Sequence, residues 1–341
     1  EVLSEAAGAA QSFGRYGLSI LEISHRSPDF QAVMDEAESL VRSLLGLSDD
    51  YAVLFLTGGA SSQFFMTAMN LLKNSDKAAY LDTGTWSTKS IKEAVRFAEI
   101  DVVASSADRK YAYVPKGFHI PEQYRYMHIT TNNTIYGTQI HDIPESPIPL
   151  VVDMSSDIFS KPIEVKNMDV IYAGAQKNLG PAGTTLVIVR KDSLGHTERD
   201  LPTMLDYRTH IQKGSMFNTP PVFPIYVCLL TLRWIVKNGG LIAMEEHNQA
   251  KANLLSNTID HFELYTGHAD KEDRSLMNVT FNLTDPTLDD EFFKACEDHG
   301  CVGIKGHRSV GGFRASIYNA MPYDSVKVLT DVMEDFAKSH G

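Results

Sequence analysis

Short apolar runs alternate with amphipathic runs along most of the chain, and this alternation constrains the fold more than any other feature. The runs YAVLFLTGG at 51–59 and AAYLDTG at 78–84 are typical of buried strands, and helix-like sequence follows each of them. Strands that alternate with helices form βαβ units around a parallel sheet. The sequence therefore predicts an α/β fold with a largely parallel sheet.

One helix of this pattern carries clear signals at both of its ends. Ser27 can cap it, Pro28 suits its first turn, and Gly46 suits the left-handed residue that closes a helix. Between these residues, apolar side chains recur at helical spacing. We therefore expect an amphipathic helix that begins at Pro28 and closes at Gly46.

The chain is predicted to divide near residue 240. A long apolar stretch begins at two prolines, at 220–221, and ends in Asn238-Gly239-Gly240, where a helix should stop. A second layer of helices and strand-like runs follows this point. We therefore expect a large domain over residues 1–240 and a smaller C-terminal α/β domain over residues 241–341.

Charge and composition exclude several classes of partner. The 341-residue chain has a net charge of -12, whereas proteins that bind nucleic acid or membrane surfaces are usually basic, so neither partner is expected. The apolar runs are too short to span a bilayer, and the first residues lack the basic and apolar regions of a signal peptide. Cys228, Cys296 and Cys301 form no metal-binding spacing, and sparse cysteine suggests a reducing compartment, for which we expect the cytoplasm.

Lys177 stands among glycines and alanines between two apolar runs, in the stretch VIYAGAQKNLGPAGTTLVIV at 170–189. A buried ammonium is costly unless it is paired, so lysine normally avoids such a place. One interpretation is a hairpin whose turn carries a solvated lysine. The other is a lysine that serves chemistry, and the residues next to Lys177 do not decide between the two.

Asp153 ends another apolar run, IPLVVDMSS at 148–156. A carboxylate there needs a cationic partner to remain ionised, so it could pair with an arginine, cap a turn or hold a protonated ring nitrogen. Pyridoxal phosphate needs a lysine that forms a Schiff base and an aspartate that keeps its pyridine nitrogen protonated. Because Asp153 and Lys177 end successive strand-like runs, pyridoxal phosphate is a candidate cofactor.

Two strand-to-helix turns offer further contacts for such a cofactor. The stretch LTGGASSQF at 56–64 places glycines before a helix start, where backbone N–H groups bind phosphate, and it matches neither the dinucleotide fingerprint nor the P-loop. Trp86 follows another strand, where an indole could stack on an aromatic ring. A plain turn and a tryptophan that fills the core are the alternatives.

Two cationic clusters could bind anionic groups. One contains His25 and Arg26, and the other contains His307, Arg308 and Arg314. Arginine binds carboxylate and phosphate through paired hydrogen bonds, although a surface salt bridge is its commoner role. The glycines and the strand-like sequence around Arg314 favour a shaped site.

Five phrases, in order across both predicted domains, carry a resemblance to a known family: EISHR, YAGAQKNLGPAG, GSMFNTPP, KGHRSVGG and RASIYNAMP. Over essentially its whole length the chain resembles the phosphoserine aminotransferase family, which belongs to class V and has the type I PLP-dependent transferase fold. The resemblance implies pyridoxal 5'-phosphate as cofactor, a large cofactor-binding domain with a mostly parallel sheet, a smaller C-terminal domain, and a homodimer. It implies reversible amino transfer from L-glutamate to 3-phosphohydroxypyruvate in serine biosynthesis, and it leaves open a second substrate in pyridoxine biosynthesis.

The resemblance also implies a role for each matching residue. For the cofactor, Lys177 is implied as the Schiff-base lysine with Gln176 as a contact beside it, Asp153 as the partner of the pyridine nitrogen, and Trp86 as the residue that stacks on the ring. Thr134 is implied as a hydrogen-bond partner, and Ala60 and Ser61 as the backbone groups that bind the phosphate. Asn218 and Thr219 are implied to reach the cofactor of the neighbouring subunit. Among these, Lys177 is the catalytic residue. The substrate contacts are carboxylate binders, Arg26 and Arg314, and phosphate binders, His25, His307 and Arg308.

A departure from the family at Ser61 and three alternatives accompany this interpretation. Ser61 stands where some family members have an arginine, so binding of the substrate phosphate would depend more on His307 and Arg308. The first alternative is another class V aminotransferase that acts on an unphosphorylated amino acid. A cysteine desulfurase would need a nucleophilic cysteine on a mobile loop, and none of the three cysteines is so placed. A non-enzymatic α/β binding module with a structural lysine is the third.

Overall fold

The computed structural model describes residues 1–15, 17–308 and 310–340. Its helices are α1 (Val2–Gln11), α2 (Pro28–Leu45), α3 (Gly59–Leu71), α4 (Thr85–Ala94), α5 (Tyr207–Gln212), α6 (Val222–Lys237), α7 (Gly240–His261), α8 (Asp289–Asp298) and α9 (Tyr323–His340). Its strands are β1 (Tyr51–Leu56), β2 (Lys77–Asp82), β3 (Glu99–Ser105), β4 (Met127–Thr130), β5 (Asn132–Asn133), β6 (Thr138–Gln139), β7 (Leu150–Asp153), β8 (Met168–Gly174), β9 (Thr185–Arg190), β10 (Tyr265–Gly267), β11 (Asn278–Leu283) and β12 (Phe313–Ser316). This order of elements confirms the predicted α/β fold.

A seven-stranded sheet forms the centre of the molecule, in the order β1-β9-β8-β7-β4-β2-β3. The pairs from β8 to β3 are parallel, as the alternation predicts, whereas β9 runs antiparallel to both β1 and β8. Parallel strands end at the same edge of a sheet, and ligands bind there in α/β folds. The ends of β4, β7 and β8, at Thr130, Asp153 and Gly174, therefore lie side by side.

Helices cover both faces of this sheet. On one face α2 and α6 pack through apolar residues such as Val33 and Leu229, and on the other α3 packs through Phe64 and Met66. Every residue of β7 and β8 is buried, because helices lie above and below these strands. The polar side chains within and at the ends of these strands are therefore shielded from bulk water.

Helix α2 begins and ends where the sequence predicts. The Ser27 hydroxyl accepts a hydrogen bond from the Phe30 N–H at 3.2 Å, and Pro28 is the first helical residue. Gly46 closes the helix with φ 61°, a left-handed conformation that glycine adopts without a side-chain clash. The local signals in this segment were sufficient to fix both ends.

Helices α6 and α7 meet at a bend of 85°. Gly239 and Gly240 have φ values of 97° and 72°, which let the chain turn sharply between the two helices. Among the residues that the structure describes, no single helix is long and apolar enough to cross a membrane. Within that described part of the chain, only α6 and α7 taken together across the bend reach that length and composition.

A three-stranded antiparallel sheet, in the order β10-β11-β12, lies in the C-terminal part of the chain. Residues between Ala252 and Ala337, including Phe292 and Met333, form an apolar cluster of their own around it. A second apolar cluster, with Met244 as its last member, belongs to the large sheet. The division of the chain at residue 240 stays a prediction.

The short hairpin of β5 and β6 joins the two sheets. The Asn132 side-chain amide donates to the Asn278 side-chain carbonyl at 2.9 Å, and the Thr280 hydroxyl donates to the Tyr136 backbone carbonyl at 2.9 Å. Gly137 has φ 75°, and a Cβ atom at this position would lie 2.9 Å from the Asn278 backbone oxygen. This close approach fixes the hairpin against β11, and with it the residues that the hairpin presents to the sheet edge.

Candidate active site

A cavity of about 460 Å³ lies at the ends of β4, β7 and β8 and at the first turns of α3 and α4. Its walls include nine of the residues that the sequence predicts for the site: Ala60, Ser61, Trp86, Thr134, Asp153, Gln176, Lys177, His307 and Arg314. These residues come from segments that lie far apart in the chain. The fold therefore brings together most of the predicted cofactor contacts.

Lys177 lies in the connection between β8 and β9. These strands are antiparallel neighbours, and the Ala175 N–H donates to the Thr184 carbonyl at 3.0 Å, so the hairpin interpretation is correct for the backbone. Its assumption of a solvated lysine is wrong, because the half-buried side chain lines the cavity with its Nζ 5.8 Å from the Trp86 ring centroid. Burial lowers the pKa of Lys177, and the charge of Asp153 partly opposes that effect.

Asp153 is buried at the end of β7. One of its carboxylate oxygens, Oδ1, accepts hydrogen bonds from the Ser155 N–H at 2.9 Å and from the Ser155 hydroxyl at 2.6 Å. Burial raises the pKa of Asp153, while the Ser155 bonds and the charge of Lys177 lower it. The carboxyl group is thus fixed in orientation and lines the same cavity as the lysine.

The first turn of α3 supplies backbone donors to the cavity. Gly58 and Gly59 have φ values of 97° and 66°, and Ala60 and Ser61 follow them in the first helical turn. A Cβ atom on Gly58 would lie 2.7 Å from the Ser62 Cβ, so this turn requires glycine. The first N–H groups of a helix have no intrahelical partner, which makes this turn suited to a phosphate group.

Trp86 and Arg314 are connected through Thr134. The indole Nε1 of Trp86 donates to the Thr134 hydroxyl at 3.1 Å, and the Arg314 guanidinium donates to the Thr134 backbone carbonyl at 2.9 Å. Arg314 Nε is buried and has no hydrogen-bond partner within the described part of the chain. An aromatic wall and a cation with unused hydrogen-bonding capacity therefore face one cavity.

The remaining predicted residues do not line this cavity. His25 is half-buried, and Arg26 and Arg308 are exposed. Asn218 lines a different cavity of about 150 Å³ together with Ser62, and Thr219 is exposed. The roles that the resemblance implies for these residues stay predictions.

Several residues that the sequence analysis did not select also line the cavity, among them Thr130, Asn132, Ser155, Ser156 and Tyr318. Ser155 could have been found, because a serine two positions after a strand-terminal aspartate is typical of an Asx turn. Asn132 and Tyr318 had no such signal. Both bond to Asn278, which is distant from them in sequence.

The residues present fit pyridoxal phosphate. The cavity offers an amine, an oriented carboxylate, an indole face and the N-terminus of a helix, which match the aldehyde, ring nitrogen, ring and phosphate of that molecule. The buried Arg314 Nε, which lacks a partner within residues 1–15, 17–308 and 310–340, leaves a donor for an anionic substrate. This arrangement can form an imine through the Lys177 amine and place charged side chains close to that imine.

Comparison with known proteins gives the same result. The sequence model of the family described as aminotransferase class-V matches residues 5–329. The chain is similar to the phosphoserine aminotransferase of Parabacteroides distasonis, with 55% identity over 340 residues that cover 99% of this chain and 95% of the relative.

Two solved structures resemble the fold closely. The phosphoserine aminotransferase from Bacillus circulans subsp. alkalophilus gives a TM-score of 0.96 at 45% identity, covering 100% of this chain and 95% of the other. The PLP-bound phosphoserine aminotransferase from Trichomonas vaginalis gives a TM-score of 0.93 at 35% identity, covering 98% and 96%. Both resemblances extend over the large and the small sheet.

Proposed function

Because the chain belongs to the aminotransferase class-V family, we propose that it is a phosphoserine aminotransferase, which uses pyridoxal phosphate to move an amino group reversibly between L-glutamate and 3-phosphohydroxypyruvate. The observation that carries the proposal is that Lys177 and Asp153 line one cavity with Trp86 and the start of α3. This donor set suits the cofactor, and the similar proteins that carry this name suggest the substrate.

Four groups of the chain hold the cofactor in this proposal. The N–H groups of Ala60 and Ser61 would bind its phosphate, Trp86 would stack on its ring, and the Asp153 carboxylate would accept a hydrogen bond from its protonated ring nitrogen. When bound, pyridoxal phosphate supplies an aldehyde that condenses with amines and a ring that accepts electrons from the adjacent carbon. The Thr134 hydroxyl, which already accepts from Trp86, still has its own proton to donate.

Lys177 is the residue that moves the proton. A general base works best when its pKa lies near the working pH, and burial lowers the pKa of Lys177 in that direction. The same amine can take a proton from the substrate carbon and return it at the neighbouring position. Gln176 lines the cavity beside it and is proposed as a further cofactor contact.

The cations divide between the two anionic groups of the substrates. Arg26 and Arg314 bind the α-carboxylate, for which guanidinium is geometrically suited. His25, His307 and Arg308 bind the substrate phosphate, and the serine at position 61 increases their importance. Two anchors on one substrate orient the reacting carbon toward Lys177.

The assembly proposed for the enzyme is a homodimer. Asn218 and Thr219 lie outside the cavity that contains Lys177, although both are proposed to contact a cofactor phosphate. Thr219 is exposed, and Phe217 beside Asn218 is 41% exposed. A neighbouring subunit would cover this segment and receive its polar groups.

The proposal also includes a pathway, a location and a role for each part of the chain. We expect serine biosynthesis as the pathway and the cytoplasm as the location, and we leave open a second, pyridoxine-related substrate. The large domain over residues 1–240 would hold the cofactor, and residues 241–341 would bring Arg314, His307 and Arg308 to the substrate. This division accounts for a site built from both parts.

The cysteine-based alternative is disfavoured by burial. Burial raises the pKa of the Cys228 thiol to about 12, and it also raises the pKa of Cys301. The thiolate is the nucleophile in cysteine chemistry, so neither group is activated. Cys296 is buried in the apolar cluster of the C-terminal part.

An absorption spectrum of the purified protein tests the proposal. We expect a visible absorption band from the bound cofactor. Adding O-phospho-L-serine alone should shift this band to shorter wavelength, because the amino acid transfers its amino group to the cofactor. L-Serine and L-alanine at the same concentration serve as matched controls and should leave the band unchanged. A response to L-serine or L-alanine but not to the phosphorylated amino acid would overturn the substrate, and a protein that stays colourless with added pyridoxal phosphate would overturn the cofactor.

A further inference from the structure

Three buried asparagines connect the turn that carries Lys177 with the C-terminal part of the chain. They are Asn178, which follows Lys177, Asn319, which follows β12, and Asn248 on α7. Asn178 is 4% exposed, Asn319 is 2% exposed, and Asn248 is completely buried. Buried amides need hydrogen-bond partners, so the contacts of these side chains are specific.

Asn178 joins the Lys177 turn to the segment after β12. Its side-chain carbonyl oxygen, Oδ1, accepts a hydrogen bond from the backbone N–H of Asn319 at 3.0 Å. The turn itself is compact, because the Leu179 N–H donates to the Ala175 carbonyl at 3.1 Å. A displacement of Asn178 would therefore move Lys177 as well.

Asn319 extends this connection to the segment after Asp153. Its side-chain amide donates to the Phe159 carbonyl at 2.8 Å, and its Oδ1 accepts from the Asn248 amide at 2.8 Å. Phe159 has φ 58°, a left-handed conformation that is unfavourable for a residue with a Cβ atom, and the bond from Asn319 helps to hold it. The Asn248 amide also donates to the Ser160 carbonyl at 3.1 Å.

Helix α7 holds the same segment through a buried lysine. Lys251 lies one turn after Asn248 and is completely buried. Its ammonium donates to the carbonyls of Ile317 at 3.0 Å and Tyr318 at 2.7 Å, which offset the cost of its burial. Residues 317–319 are therefore fixed by α7 as well as by Asn178.

The segment held in this way carries residues that face the cavity. Arg314 on β12 and Tyr318 both line the cavity together with Lys177. Burial lowers the pKa of Lys177, the charges of Asp153 and Asp157 oppose that effect, and the charge of Arg314 adds to it. Arg314 is thus near enough to Lys177 for their separation to matter.

We propose that Asn178 is a positioning residue for the reaction: through the backbone N–H of Asn319 it holds the Lys177 turn at a fixed separation from Arg314 and Tyr318. The amine then approaches the carbon next to the substrate carboxylate in the same geometry in both halves of the reaction. The inference rests on the proposed function for the roles of Lys177 and Arg314.

Amide hydrogen exchange tests the connection without reference to any substrate. In the holoenzyme we expect the Asn319 N–H to be strongly protected, and Asn178→Ala should raise its exchange rate about fivefold or more, because the accepting oxygen is lost. The Tyr207 N–H, which donates to the Asn70 side chain at 3.0 Å, should exchange at the same rate in both proteins. An unchanged rate at Asn319 would overturn the proposal.

Asn70→Ala is the matched control for activity. Asn70 on α3 is equally buried, accepts from the Tyr207 N–H and donates to the Leu205 carbonyl at 2.8 Å. We expect Asn70→Ala and Asn178→Ala to lower the thermal unfolding midpoint by similar amounts. Only Asn178→Ala should lower kcat, by about tenfold or more, for both O-phospho-L-serine and L-glutamate. Equal losses of kcat in the two variants would indicate a structural role and overturn the proposal.

The pH dependence of the visible band separates positioning from packing. The imine nitrogen that Lys177 contributes takes up a proton less readily near a cation. If Asn178→Ala releases the turn from its place near Arg314, the band should titrate at higher pH than in the wild type, whereas Asn70→Ala should titrate like the wild type. Equal titration midpoints in the three proteins would contradict the proposal.

A second pair of variants covers the case in which Asn178→Ala does not fold. Asn178→Asp keeps an oxygen that can accept from the Asn319 N–H, whereas Asn178→Leu has a similar size and no acceptor. We expect Asn178→Asp to keep more of the protection at Asn319 and more of the wild-type kcat, and the reverse order would refute the role of Asn178. If the test with O-phospho-L-serine fails while the exchange and titration results hold, the proposed reaction falls and the positioning role stands.

Discussion

The indole nitrogen of Trp86 donates to the hydroxyl of Thr134 at 3.1 Å. The backbone carbonyl of the same threonine accepts a hydrogen bond from Arg314 at 2.9 Å. Thr134 therefore contacts both the proposed ring stacker and a proposed carboxylate binder. It lies in the turn between β5 and β6, which the contact of Asn132 with Asn278 fixes against the smaller sheet.

Replacement of Thr134 should affect the cofactor more than the substrate. We expect Thr134→Val to weaken pyridoxal phosphate binding about fivefold, because one neutral hydrogen bond of about 1 kcal/mol is lost. The backbone bond to Arg314 survives, so the KM for O-phospho-L-serine should change little. Thr134→Ser keeps the hydroxyl and is the control. Equal cofactor affinities of the two variants, measured by equilibrium dialysis, would show that the hydroxyl has no such role.

Removal of the Lys177 amine should abolish transamination and leave the fold intact. We expect Lys177→Ala to lose at least about 100-fold in kcat, because the variant lacks the group that transfers the proton. Thermal unfolding should show no large loss of stability, because the substitution removes a half-buried charge whose burial does not favour the folded state. Lys92→Ala, an exposed lysine on α4, is the control. Substantial turnover in Lys177→Ala would refute the assignment.

Arg308 should distinguish phosphorylated from unphosphorylated substrates. We expect Arg308→Ala to raise the KM for O-phospho-L-serine about tenfold or more, as the loss of a hydrogen bond to a charged group predicts. The KM for L-glutamate should stay within about twofold of the wild-type value. Arg96→Ala removes an exposed arginine that pairs with Glu93 and is the control. Equal losses for both substrates would indicate a structural role.

The burial of His128 should make stability depend on pH. Its pKa is lowered to about 3 from an ordinary value of 6.5, so the unfolded chain binds a proton between these values and the folded chain does not. Stability from this residue is therefore lost as the pH falls from 6.5 toward 3, by about 2 kcal/mol between pH 7 and pH 5.

Denaturant unfolding at both pH values checks this expectation. His128→Phe should lose less stability than the wild type on going from pH 7 to pH 5, since phenylalanine cannot take up a proton. His299→Phe, which replaces an exposed histidine, should follow the wild type. Parallel pH profiles for the wild type and His128→Phe would contradict the prediction.

Gly137 should tolerate no side chain. Its φ of 75° disfavours other residues, and a Cβ atom would meet the Asn278 backbone oxygen at 2.9 Å. We expect Gly137→Ala to lower the free energy of unfolding by more than about 1 kcal/mol. Gly8→Ala is the control, because Gly8 lies in α1 with no atom within 4 Å of an added Cβ, and it should be neutral or slightly stabilising. Unfolding midpoints in urea compare the two, and an unchanged midpoint for Gly137→Ala would show that the hairpin can shift.

Local signals predicted the elements better than their pairing. Ser27 and Gly46 mark the ends of α2 because capping depends on a few neighbouring residues. The antiparallel direction of β9 was expected only under the hairpin interpretation of the Lys177 segment, since the same apolar run can pair in either direction. Strand direction depends on contacts between distant segments, which periodicity does not report.

The site was predictable where its chemistry is unusual for a sequence. Lys177 among small residues and Asp153 after an apolar run both contradict ordinary burial preferences, so they were found from the residues alone. Thr134, which lines the cavity, was selected only through the family resemblance. Asn132 and Tyr318 were missed because both bond to Asn278, which is distant from them in sequence.

The reversed strand β9 has a consequence for how the enzyme returns to its starting state. The segment that carries Lys177 is closed at both ends by hydrogen-bonded neighbours, β8 and β9, so its backbone has already lost its freedom on folding. When the amine is released in one half of the cycle, only the side-chain torsions remain to be searched. Rotations of this kind take picoseconds to nanoseconds. Reorientation of the Lys177 side chain alone is therefore not expected to limit turnover.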